Sequence, residues 1–463
     1  MNILLLLVIA TFLISQPILS LAIRFAYRFN LLDHPCPRRR HRKPTPIVGG
    51  LSIFLTWALA IGAYSFFKPD WIHANFISLV PMSVGLAILL LVGVVDDVKG
   101  LSPKPKFFFQ LLATLVMMIF DPRLHSLVLY WEAIIGIVIW PLTAIWIVGI
   151  TNAVNLIDGL DGLAGGTSFL VSCSIATLSF VSDGVGALQG VAMILLAASI
   201  LGFLRFNWSP AKMFLGDNGS LPLGFMIAVN SLTCHPTTRS WIMIASVILM
   251  MGYPILDMGL AVLRRHREGL ELFKADRNHL HFRVQRLGLT VGQTALFLLS
   301  VSLYLQVTAL SLNLLPTEAV LPSLALVVFS VFGLLYVVRC IERARIHRIS
   351  KSRMADTAMM RSDFTNVSRL KVDIPLSPIF EVGMFEERAR CQEIVLSLEM
   401  MLKATAAKDE EVTVTRDRIQ ILCSSADQNS IRKRYDAKLQ SFCSLMELQC
   451  STSKIPFKIK NAA

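Results

Sequence analysis

Charge is scarce in this chain. Asp, Glu, Lys and Arg make up only 16% of the 463 residues, against 54% hydrophobic residues and a mean hydropathy of +0.61, a composition that excludes an ordinary soluble globular protein. Informative cysteine spacing is missing too. The eight cysteines, Cys36, Cys173, Cys234, Cys340, Cys391, Cys423, Cys443 and Cys450, contain no CxxC-type pair. They therefore indicate neither a zinc site nor a disulfide framework, and read as reduced, cytoplasmic or buried thiols. No basic residue precedes Arg24, and the first apolar run continues for about twenty residues, enough to span a bilayer. That argues for a retained first span with its amino end outside rather than a signal peptide. The net charge of +13 does not indicate nucleic acid, because the Lys and Arg cluster in short loops between apolar runs.

What is present is a series of apolar runs of spanning length, about eleven of them. They lie near 3–22, 47–67, 77–95, 106–120, 133–150, 165–181, 187–204, 220–234, 241–262, 294–312 and 318–339. Alternate loops separate by charge. Loops 24–46, 96–106, 205–219 and 263–292 hold nineteen Lys and Arg, whereas the opposite loops hold only Lys68, Arg123 and Arg239. The positive-inside rule then puts the basic loops in the cytoplasm. The expected fold is an all-α integral membrane protein with cytoplasmic catalytic loops over 1–340. A C-terminal cytoplasmic extension of α or α/β type follows over 341–463. In that extension, 384–403 and 428–448 have helical spacing, and 411–422 reads as a short strand.

The stretch 152–166 is the centre of the reading. It spaces Asn152, Asn155, Asp158 and Asp161 by three, with Leu, Val and Ile between, so on a helix the four polar heads would share one stripe. Carboxylates at a membrane edge are costly and point to function; an Asn/Asp/Gly turn between two spans is the plain alternative. Asp96 and Asp97 close the third span and are followed at once by Lys99, Lys104 and Lys106. The run 214–220 carries Asp217 in a Gly-Asp-Asn-Gly sequence and opens the eighth span, and His279-Leu280-His281 lies in the basic loop before the tenth. Each has its own ordinary reading, as a cap, a turn or a weak HxH. Together they fall on one membrane face.

Adjacent carboxylates suit Mg²⁺, a hard ion usually held by one or two carboxylates plus substrate phosphates. Lysines and histidines beside them suit a diphosphate, and the combination fits phosphoryl transfer between a soluble nucleotide and a lipid phosphate. A cation-coupled transporter is the rival class, but its acids should lie near mid-span rather than at span ends.

The ordered set formed by 46–50, Asp96-Asp97, 100–102 with Lys106 and Gln110, 152–166, 214–220 and 276–281 resembles the polyprenyl-phosphate N-acetylhexosamine-1-phosphate transferases of glycosyltransferase family 4. The resemblance covers about 1–340. It implies a Mg²⁺-dependent enzyme (Mn²⁺ as a substitute) in a bacterial inner membrane. Such an enzyme moves a sugar 1-phosphate from a UDP-N-acetylhexosamine onto undecaprenyl phosphate and releases UMP; a homodimer is left open. It assigns Asp96 and Asp97 to acceptor deprotonation and the metal site, and Asp217 to metal ligation. Asn155, Asp158 and Asp161 are assigned with Asn152 to the nucleotide and metal pocket. Lys106, Arg277, His279 and His281 are assigned to substrate binding. Phe282 departs from the family's HxHH pattern. The run 276–281 is similar to the branch acting on UDP-N-acetylglucosamine or a related sugar, which starts O-antigen, enterobacterial common antigen or teichoic acid chains. The extension after about 340 has no counterpart in that resemblance.

Overall fold

The computed structural model describes residues 2–34, 43–234, 240–269, 279–362, 370–375, 410–414, 418–423 and 458–461. The chain divides into two compact units, Met1–Ile346 and His347–Ala463. Fourteen helices run in order: α1 (Asn2–Arg28), α2 (Gly49–Phe67), α3 (Pro69–Lys99), α4 (Pro103–Phe120), α5 (Pro122–Ile135), α6 (Ile139–Ile157), α7 (Leu163–Asp183), α8 (Leu188–Asn207), α9 (Asp217–Thr233), α10 (Ser240–Met250), α11 (Gly252–Glu268), α12 (Leu280–Arg286), α13 (Val291–Ser311) and α14 (Thr317–Ser362). Two short strands, β1 (Leu32–Asp33) and β2 (Thr45–Pro46), pair antiparallel between α1 and α2.

The boundaries follow local chemistry. Pro69, Pro103 and Pro122 open α3, α4 and α5, where a missing N–H costs nothing. Asp121 caps α5 by accepting from Arg123 N, and Thr290 with Gln293 forms a capping box on α13.

Nine helical segments among the described residues are long and apolar enough to cross a membrane, or up to ten when α10 and α11, bent by 75° at their junction, count as one. The protein is thus a multi-pass membrane protein. Three of the eleven expected runs depart from a single straight span, that near 241–262 being the bent α10–α11 pair. The run near 133–150 belongs to a 36-residue segment that begins at Pro122. The run near 220–234 is α9, which at 17 residues lies at the lower limit of spanning length.

Sidedness within the bundle is marked. Only 22% of the α1 window and 17% of the α14 window are buried, against 67% for α7 and 78% for α8. α7 and α8 are therefore central, and their small residues allow it: Ala164, Gly165, Ser168, Ser172, Gly190, Ala197 and Ala198 are all buried. Lipid supplies no hydrophobic drive between helices, so close approach of small residues does that work. α9 is the most enclosed element, with fifteen of its 17 residues buried, and it packs against α2, α3 and α6.

In the second unit the described residues form β3 (Leu370–Pro375), β4 (Glu410–Val414), β5 (Arg418–Cys423) and β6 (Lys458–Asn461), an antiparallel sheet in the order β4-β5-β3-β6. The expected strand at 411–422 is two strands. The helical expectations at 384–403 and 428–448 lie outside the described residues.

Candidate active site

The polar ends of α3, α4, α6 and α9 meet at one end of the bundle. Lys106, in the first turn of α4, donates to Asp96 Oδ2 and Asp217 Oδ2, both at 2.7 Å, and Asp96 Oδ1 accepts from Leu101 N at 2.6 Å. Asp96, Asp97 and Asp217 offer oxygens that all lie within 4.8 Å of one another, a donor set that could hold a metal ion. Oxygen-only ligands suit a hard divalent cation.

Asp97 has a second task that its sequence position does not reveal. Its Oδ1 accepts from Asp217 N at 2.9 Å, and its Oδ2 accepts from Asn218 N at 3.0 Å and Asn218 Nδ2 at 2.6 Å. It thereby satisfies the first amides of α9, a helix far from it in sequence, where a carboxylate also meets the positive end of the helix dipole. Gly216 makes room for this: its φ is +71, and a Cβ there would lie 2.7 Å from Asp97 Oδ2, so only glycine fits. Asn218 ties in the 46–50 segment, accepting from Leu51 N at 2.9 Å and donating to Ile47 O at 3.1 Å. Backbone bonds from Gly49 N to Phe214 O and from Gly50 N to Leu215 O complete the seam.

The stretch 152–166 only partly forms the expected stripe. α6 ends at Ile157 with Asp158 as its C-cap, and Gly162 takes a left-handed φ of 78 where α7 begins; the third and fourth polar heads therefore lie in the turn beyond the helix. Asn152 and Asn155 remain helical. Asn155 donates to Asp217 Oδ1 at 2.9 Å and to Ser220 Oγ at 2.8 Å. Asn152 instead pairs with Gln110 of α4, donating to its Oε1 at 2.6 Å. Asp161 Oδ2 accepts from Ala211 N at 3.1 Å and so ties down the loop that leads to Asp217. Asp158 lies in the turn after α6; burial pushes its carboxyl well above the usual carboxylate range, and the neighbouring Asp217, Asp97 and Asp161 add to the effect.

His279 and His281 are buried and stacked, with ring centroids 5.7 Å apart and 5° between planes. They join the site through Gly159, where a Cβ would lie 2.8 Å from His281 Nε2. Arg277 lies outside the described residues. Two buried residues escaped the sequence reading. Asn207 accepts from Gly162 N and donates to Met213 O, both at 2.9 Å. Asp257 on α11 accepts from Leu280 N at 2.6 Å. A lone acid in an apolar run was the signal available for Asp257.

Fold and site together describe a multi-pass membrane protein in which carboxylates, a lysine and amides gather at helix ends, a set of groups suited to a phosphate-bearing ligand and a divalent cation. The Glycosyl transferase family 4 profile matches residues 79–235. A Bacillus subtilis (strain 168) protein named probable undecaprenyl-phosphate N-acetylglucosaminyl 1-phosphate transferase is 33% identical over 306 residues, 65% of this chain and 82% of the relative. The decaprenyl-phosphate N-acetylglucosaminephosphotransferase of Mycobacterium leprae (strain TN) is 32% identical over 286 residues, 57% and 72% of the two chains. The undecaprenyl-phosphate alpha-N-acetylglucosaminyl 1-phosphate transferase of Escherichia coli (strain K12) is 30% identical over 293 residues, 62% and 77%. This chain belongs to glycosyl transferase family 4. The transporter reading gains no support from the relatives of this chain, and Asp96, Asp97 and Asp217 lie at helix ends rather than at mid-span.

Proposed function

We propose that the protein transfers N-acetylglucosamine 1-phosphate, or a related N-acetylhexosamine 1-phosphate, from its UDP-sugar to undecaprenyl phosphate, releasing UMP. The observation that carries this reading is Lys106 bridging Asp96 and Asp217, three residues from three helices converging where a diphosphate can be neutralised. The activities named for the relatives support the choice of donor and acceptor.

Asp217 and Asp97, with Asp96 beside them, would hold Mg²⁺, or Mn²⁺ in its place, and the ion would neutralise charge on the donor diphosphate. Asn155 keeps Asp217 oriented, and Lys106 meets phosphate oxygens. Asp96 is the better placed of the adjacent pair to take the acceptor's proton, because Asp97 already accepts three hydrogen bonds from the start of α9. The lipid phosphate oxygen then attacks the sugar-bearing phosphorus in line. A new phosphoanhydride bond forms, the bond to UMP breaks, and the exchange of one anhydride for another makes the step nearly reversible.

Asn152, Asp158, Asp161, His279, His281 and Arg277 complete the donor pocket in this reading. The separation of nineteen basic residues from three in alternate loops favours a cytoplasmic site in a bacterial inner membrane. The product would initiate a lipid-linked cell-surface polysaccharide such as O-antigen. The test is release of labelled UMP by membranes containing the protein, given undecaprenyl phosphate, Mg²⁺ and a panel of UDP-N-acetylglucosamine, UDP-N-acetylgalactosamine and a 6-deoxy N-acetyl analogue. Absence of release with every donor would overturn the reading.

A further inference from the structure

Asp257 sits in α11 and is 1% exposed. A buried carboxylate is costly unless hydrogen bonds or an opposite charge compensate it, so its partners define its purpose. Oδ1 accepts from Leu280 N at 2.6 Å. Oδ2 lies 3.2 Å from His279 Nδ1 and 3.9 Å from His281 Nδ1. One side chain thus holds the His-Leu-His segment by its backbone and by the His279 ring, with the His281 ring close by. The His281 ring in turn abuts Gly159, in the turn that carries Asp158 and Asp161.

We propose that Asp257 is a positioning residue for the sugar-phosphate transfer: it fixes the ring orientation and tautomer of His279, with the Nδ1 proton directed to the carboxylate, so that Nε2 is the nitrogen left to take up a second proton and donate it as an N–H to the donor's phosphates. The inference rests on the reading in which His279 and His281 contact the donor. A carboxylate is suited to the task because it only accepts, and so selects the protonated Nδ1. An Asn in its place keeps the volume and an oxygen for Leu280 N. It also turns an amide N–H₂ toward His279 and selects the opposite tautomer.

The experiment uses the full chain in lipid nanodiscs and compares Asp257→Asn, His279→Ala and the double variant on UMP release from UDP-N-acetylglucosamine. Asp257→Asn should lower kcat/KM by about 10- to 100-fold. In the His279→Ala background the same change should cost less than about twofold, since partners that act as a unit are not additive. Additive losses, or an Asp257→Asn protein that turns over like wild type, would overturn the positioning role. A second readout needs no variant of Asp257. ¹⁵N-histidine spectra of the wild type at pH 8, with the His279 signal assigned by its loss in His279→Ala, should show Nδ1 protonated and Nε2 bare; the reverse tautomer would overturn the inference. Wild-type membranes inert toward every UDP-N-acetylhexosamine would sink the functional reading instead, and the spectra would still decide the tautomer.

Discussion

Gly93 of α3 and Asn218 of α9 touch backbone to backbone: a Cβ on Gly93 would overlap Asn218 Cα and would lie 2.5 Å from Asp217 O. Neither backbone can yield without moving Asp217. Gly93→Ala should therefore lower stability by about 1–3 kcal/mol, as overpacking does, and should abolish most UMP release. Gly62→Ala is the control, because nothing lies within 4 Å of its added methyl. Thermal melts in detergent, run beside the transfer assay, would separate the two.

Asp97 and Asp217 should part company under the same substitution. Asp97 accepts three hydrogen bonds from α9, and Asn in its place offers one acceptor and one misplaced donor, so Asp97→Asn should lose both activity and about 1–3 kcal/mol of stability. Asp217→Asn should lose activity by about 100-fold or more and bind Mn²⁺ more weakly, while melting near wild type. Equal melts for the two variants would contradict the capping role of Asp97.

Asn155 acts on the same carboxylate from the other side, through its 2.9 Å bond to Asp217 Oδ1. Asn155→Ala should reduce kcat/KM by about 10- to 100-fold, the usual cost of losing a group that orients a ligand residue. Retention of wild-type kcat/KM would show that Lys106 suffices to hold the Asp217 carboxylate.

Asp158 gives a pH test. Its folded carboxyl is raised well above the usual range by burial and by neighbouring acids. Between the unfolded and folded values the native state therefore holds a proton that the unfolded state releases. Stability contributed by this group is present below the unfolded value and falls as pH rises through the raised one. Asp158→Asn removes the dependence. With chelator present, the variant's melting temperature should exceed that of wild type by more at pH 8 than at pH 5. A constant difference would mean that Asp158 titrates normally.

Much of this site was legible because chemistry-bearing residues stood out against an apolar background. Asp96, Asp97, Lys106, Asn155 and Asp217 were each visible as polar interruptions at the ends of spans, and the structure brings them together. The even spacing of 152–161 was legible as pattern but misleading as geometry, since α6 ends at Ile157 and the turn beyond it brings Asp161 to the loop at Ala211. Asp257 and Asn207 were hidden for the opposite reason. Each is a lone polar residue whose meaning lies in a partner distant in sequence, Leu280 for one and Gly162 for the other. The enclosure of α9 was hidden as well: a helix walled in by α2, α3 and α6 reads in sequence like any span.

The glycine contacts carry one more implication. Gly50 against Gly219 and Gly93 against Asn218 leave main chain facing main chain directly beneath the reactive layer. The spacing of the acids is therefore inherited from how close two peptide backbones can come, and owes little to side-chain rotamers. Exposed apolar positions of α1 and of the apolar part of α14, such as Leu6, Leu13, Leu326 and Phe329, can be exchanged for other apolar residues, while a single added methyl at those glycines would pry the acids apart.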